Sequence, residues 1–152
     1  MSISSASGKR VRNEINFIAL EFNHSLRIPN HHITVEIIDR KNEVAVDIHS
    51  EPMNADQKWE HTKKDTTVFI SKDQFKILRS KTKKLKEIDV GKACRIGTDG
   101  TSCAIKIGGF GNSITYKFWS PDYSTSKRGL ENFVQLVKDI LQLAGFDPKE
   151  IL

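Results

Sequence analysis

The chain is poor in the residues that staple or interrupt a fold: 152 residues hold two cysteines, four prolines, two tryptophans and two tyrosines. Cys94 and Cys103 have no Cys-x-x-Cys neighbour and no second cluster, which excludes a disulfide framework and a zinc-ribbon type of metal site. The expectation is two buried thiols on neighbouring strands, in a reducing compartment, with a disulfide as the alternative. No apolar run approaches the ~20 residues that cross a bilayer as a helix. The basic residues Lys9, Arg10 and Arg12 are followed by Asn13, Glu14 and Asn16 instead of an apolar stretch, so no secretory signal is expected. These absences point to a cytosolic protein without a membrane partner. The length suits one domain able to bury a core, here 11–152 behind a small-residue tail, 1–10.

What is present is charge, and it is unevenly placed. The net charge is +5, yet residues 1–62 hold seven basic against nine acidic side chains and residues 96–152 hold six of each. Residues 63–95 hold eleven basic against four acidic. One short segment therefore generates the whole excess.

Periodicity predicts an α+β fold. Ile15, Ile18, Leu20 and Phe22 suggest a helix from Val11 to about Leu26, which Pro29 prevents from running on. Residues 33–39 and 43–49 alternate strictly, with Arg40-Lys41-Asn42 as the turn of a β-hairpin. Residues 50–65 lack a period and read as a long loop, and 66–70 as a short strand. Ser71 and Gln74 form a capping box for a helix to about Leu85, with Phe75, Leu78 and Leu85 on its buried stripe. Strands are expected at 92–96, 102–107 and 113–119, joined by Asp99-Gly100 and by the glycine-rich run 108–112. A long amphipathic helix, capped by Ser124, Thr125 or Ser126, carries Leu130, Phe133, Val134, Val137, Ile140, Leu141 and Ala144. Gly145 and Pro148 end it. The expected order is α-βββ-α-βββ-α: a mainly antiparallel sheet of about six strands with the last helix packed across it.

No residue pattern supplies reactive chemistry. His24, His31, His32, His49 and His61 form no zinc motif, and the adjacent His31 and His32 point to opposite faces of an extended chain. The Gly-Gly-Phe-Gly-Asn run is followed by strand pattern, where a phosphate loop requires a helix start. A non-enzymatic protein without cofactor or metal is expected, with a metal-independent nuclease using scattered His and Lys as a distant alternative. Two binding constellations stand out. Lys72, Lys76, Arg79, Lys83 and Lys86 would make one cationic stripe on a regular helix, suited to phosphates or to an acidic protein. Glu51, Asp56, Trp59 and Glu60 set an aromatic among carboxylates, suited to a basic partner.

The end of the chain carries a resemblance. The stretch Asp-Gly-Thr-Ser-Cys-Ala-Ile-Lys-Ile, a glycine-containing turn, Ser-Ile-Thr-Tyr-Lys-Phe-Trp-Ser-Pro-Asp-Tyr and a helix ending Leu-Ala-Gly-Phe resemble immunity proteins of bacterial contact-dependent growth inhibition and related polymorphic toxin systems. Phe118-Trp119-Ser120-Pro121 is its most specific part, a structural motif and not a binding one. The resemblance implies a cytosolic inhibitor that binds a cognate toxin domain, commonly a nuclease, and blocks its active site or substrate entry. A basic chain departs from that pattern, since nuclease inhibitors are commonly acidic. The competing expectation is a nucleic-acid-binding accessory protein that uses helix 72–86.

Overall fold

The computed structural model describes residues 14–53, 57–109 and 111–152, so the expected tail lies outside them. Six strands form one sheet: Phe17–His24 (β1), His32–Asp39 (β2), Val44–Glu51 (β3), Lys64–Ile70 (β4), Thr101–Gly109 (β5) and Asn112–Trp119 (β6). All pair antiparallel, in the order β4-β3-β2-β1-β5-β6. Five α-helices accompany them: Lys72–Thr82 (α1), Val90–Ala93 (α2), Thr125–Arg128 (α3), Glu131–Leu143 (α4) and Pro148–Ile151 (α5). Two short 3-10 segments, Gln57–Thr62 and Lys83–Glu87, complete the described residues.

Period-two alternation decides which side of the sheet is buried. Ile18, Leu20 and Phe22 of β1 share a face with Ile33, Val35 and Ile37 of β2, Val44, Val46 and Ile48 of β3, and Cys103, Ile105 and Ile107 of β5. Phe75 and Leu78 of α1 and Phe133, Leu136, Val137, Ile140 and Leu141 of α4 join them in one core. Phe133 meets Phe118 edge-on at 4.9 Å. Each such side chain contributes about 1.5–3 kcal/mol on leaving water, so this helix-covered side holds the fold together.

The structure corrects several expectations. The expected helix from Val11 to Leu26 is not there; over its described part the chain forms β1, a central strand. Ile18, Leu20 and Phe22 satisfy a period of two as well as a loose helical side, and pairing with both β2 and β5 settles the choice. Residues 92–96 are not a strand. Asp89 accepts from the Lys92 amide, starts α2, and leaves 94–97 irregular. Cys94 is therefore exposed while Cys103 is buried, and both are free. The loop expected at 50–65 contains the end of β3, the Gln57–Thr62 segment and the start of β4. The Ser71–Gln74 capping box is present, but α1 stops at Thr82 and tightens to 3-10 geometry. The expected long terminal helix is divided: Gly129, at φ +69°, separates α3 from α4, so α4 starts at Glu131 and not at Ser124–Ser126. Gly145 stops it at φ +84°, and Pro148, capped by Asp147, opens the short α5.

The thiols provide a check. Burial pushes the Cys103 thiol far above its ordinary pKa, and thiolate is the reactive form. A disulfide-exchange reagent is expected to titrate one thiol, Cys94, in the native chain and two after denaturation; two native equivalents would contradict the buried placement.

Candidate partner-binding face

Among the described residues, no helix covers the second face of the sheet. Its residues are those that alternate with the core set, and the strand register arranges them in rows. One row runs Thr67, Asp47, Glu36, Ala19, Lys106, Thr115 across the six strands. The next runs Asp65, His49, Thr34, Glu21, Ala104, Lys117. The outer row on one side carries Phe69, Ala45, Ile38 and Phe17, and on the other Glu51, His32, Asn23, Ser102 and Trp119. Glu21, Glu36, Asp65, Thr67, Lys106, Thr115 and Lys117 are exposed. Five carboxylates thus occupy the β1–β4 half of this face, and two lysines the β5–β6 half.

Within the acidic half the pairing breaks a local rule. Glu36 and Asp47 stand directly opposite each other on β2 and β3, where like charges cost roughly 0.2–1 kcal/mol. Among the described residues neither carboxylate has a cationic partner; Asp47 accepts only from the Thr67 hydroxyl, at 2.6 Å. His49 lies between two carboxylates, 2.9 Å from Glu51 and 3.9 Å from Asp65. The His49 hydrogen bond holds the Glu51 carboxyl below its usual range. His32 is 3.6 Å from Glu21. On the other half Lys106 stands 5.9 Å over the Phe17 ring.

Small side chains leave this face uneven. Ala19 and Ala104 floor a hollow of about 240 Å³ walled by Phe17, Glu21, Glu36 and Lys106. A second, of about 220 Å³, lies between Glu36, Asp47, His49 and Asp65. Glu36 is common to both. The arrangement suits cationic side chains of another macromolecule. Among the described residues no group of three or more His, Cys, Asp or Glu side chains is placed to hold a metal ion.

The residues singled out from sequence are dispersed. Glu51 joins the acidic face. Trp59 and Glu60 sit on the Gln57–Thr62 segment that leads into β4, with Trp59 half-buried and stacked on His61 at 6.2 Å. Glu60 is 3.5 Å from Lys63, and Asp56 lies outside the described residues. The basic stripe is interrupted: Lys72 binds the Asp39 carboxylate and the Arg40 carbonyl, Arg79 is 3.4 Å from Glu14, and Lys76 is 3.9 Å from Asp73. Lys83 and Lys86 lie beyond α1 in the 3-10 segment, which turns ~120° per residue instead of ~100°. Sequence reading missed Glu21, Glu36, Asp47 and Asp65. The available signal was the hydrophilic phase of each alternating strand.

The Trp119-Ser120-Pro121 motif has a structural task. Ser120 adopts φ +34°, and the chain turns there from β6 into α3. Arg128 fixes the turn: its buried guanidinium donates to the carbonyls of Ala93 at 2.7 Å, Ser120 at 2.6 Å, Trp119 at 2.9 Å and Tyr123 at 3.0 Å. Burial and, after it, Arg95 lower its pKa, but a guanidinium stays charged at neutral pH. The Trp119 ring covers Gly97 so closely that an added Cβ would stand 2.0 Å from Cζ2. Gly97→Ala is expected to cost about 1–3 kcal/mol through overpacking and to shift Trp119 fluorescence in a Trp59→Phe background; an unchanged spectrum and midpoint would contradict this packing.

No family model and no curated protein matches this chain.

Proposed function

We propose that the chain is an immunity protein that binds a cognate toxin domain through the open face of its sheet and occludes that domain's active site or substrate entry. The observation that carries this reading is the Glu36–Asp47 pair. Two adjacent carboxylates without a cation, flanked by Glu21, Asp65 and Glu51, are a local cost that a basic protein surface would relieve. Nucleases present such surfaces because they hold phosphates, so a nuclease domain is the proposed partner. The acidic half-face also accounts for how a chain of net charge +5 serves as an inhibitor of a basic protein. Nine of the eleven cations of residues 63–95 lie at 72–95, from α1 onward, and α1 packs on the covered side of the sheet. The resemblance of the hairpin, Trp-Ser-Pro turn and final helices to immunity proteins supports the same reading. Inhibition by this route is stoichiometric and cytosolic, and uses no cofactor.

The test is co-expression with the toxin domain encoded beside this chain's gene. Survival of cells carrying both, and death of cells carrying the toxin alone, is the expected result. Death of both would end the proposal. The competing nucleic-acid reading separates by salt: affinity built on several lysine–phosphate contacts falls steeply between 50 and 200 mM salt, on the order of 10³-fold or more. Binding of DNA or RNA with that slope, lost in Lys76→Glu/Arg79→Glu/Lys83→Glu, would favour it.

A further inference from the structure

The outer strand β4 is uncovered on three sides. Every residue from Asp65 to Phe69 is exposed, on the open face and on the helix side alike. Among the described residues no further strand pairs beyond β4. Its sequence after Asp65, Thr-Thr-Val-Phe-Ile, has no proline, glycine or charge. Val68 is 37% exposed and Phe69 62% exposed, although they lie on opposite faces. Edge strands are ordinarily shielded by inward charges, prolines, bulges or a covering element, because alternate backbone amides and carbonyls otherwise point outward unpaired. The other outer strand, β6, differs: it begins at the glycine-rich hairpin, carries Lys117, and has its far end packed under Gly97 and Gly100.

We infer that β4 pairs antiparallel with β4 of a second copy of this chain, joining two sheets into one of twelve strands about a two-fold axis. A two-fold axis normal to the sheet keeps the helix-covered sides together and the open faces together. Centred at Val68, it sets Val68 against its own counterpart on the helix side and Thr67 against Phe69 on the open side, so the two Val68 side chains cover one another and each Phe69 is covered by a Thr67. The same register is complementary in charge. Asp65, 90% exposed, faces the partner's Ser71, the extended N-cap of its α1, where a carboxylate meets the positive end of the helix dipole. The two acidic half-faces then become contiguous, Asp65, Asp47 and Glu36 of each copy lying on either side of the junction. The inference stands on the strand edge and not on the identity of any toxin.

The experiment is the mass in solution by light scattering during size exclusion, from about 10 μM to 1 mM, on the full chain. The expected result is twice the 17.2 kDa chain mass at the upper concentrations, with Phe69→Lys reducing it to one chain and Ile114→Lys on β6 leaving it unchanged. Since Phe69 is exposed, circular dichroism and the unfolding midpoint of Phe69→Lys should match the parent. A register test uses Val68→Cys in a Cys94→Ser background: under oxidation it should cross-link to itself, whereas Ile114→Cys should not. A single-chain mass throughout the range, or a dimer that survives Phe69→Lys and leaves Val68→Cys uncrosslinked, would overturn the inference.

Discussion

Arg128→Ala is expected to lower the stability of this protein by about 3–5 kcal/mol, the range for stripping a buried charged group from its partners. The side chain is 1% exposed and satisfies four carbonyls drawn from α2, β6 and the turn before α3. Removing it leaves those four carbonyls without their donor. At ~2–4 °C per kcal/mol for a chain of this size, the midpoint should fall by about 10 °C. Arg128→Lys is expected to recover only part of this loss, because an ammonium offers three donors from a single point and cannot match the fork. Urea titration followed by circular dichroism reads both. A variant with parental stability would show that the guanidinium network contributes nothing to the turn.

The second large effect concerns function. Reversing charge at the centre of the open face, Glu36→Lys with Asp47→Lys, should weaken toxin binding by about 100-fold or more, on the scale of 2–5 kcal/mol for charge pairs removed at an interface. Protection on co-expression should be lost. Stability should hold or change by under ~1 kcal/mol, since one like-charge pair replaces another on an exposed surface. The matching reversal on α1, Lys76→Glu with Arg79→Glu and Lys83→Glu, should leave protection intact. Loss of protection in the α1 variant alone would move the interface to that helix.

Part of this architecture is legible in the amino-acid sequence. Residues 33–39 and 43–49 alternate so strictly that both their pairing and their buried sides follow, and Phe75 and Leu78 mark the buried line of the helix after Ser71, with Leu85 buried in the 3-10 turn beyond it. The failures have a common physical source. Over five residues, Ile18, Leu20 and Phe22 fit a strand and a loose helical side about equally, and only the vacancy between β2 and β5 favours the strand. Lys-Ala-Cys-Arg-Ile at 92–96 has strand-like composition, but Asp89 supplies a helix cap just upstream and Arg128, thirty-five positions from Ala93, claims the Ala93 carbonyl. Gly129 falls inside the expected terminal helix, yet its left-handed backbone divides that helix in two. The acidic face was concealed for a different reason. Glu21, Glu36, Asp47 and Asp65 are far apart in sequence and ordinary one by one; four strands in register are needed to gather them.

Carboxylate footprinting of the purified complex tests the central claim most directly. With a soluble carbodiimide and an amine nucleophile, Glu36 and Asp47 should be modified readily in the free chain and shielded when the toxin domain is bound. Asp73 and Glu87, beside the basic segment, should react equally in both states. Unchanged modification of Glu36 and Asp47 in a stable complex, with protection at Asp73 and Glu87 instead, would contradict the account.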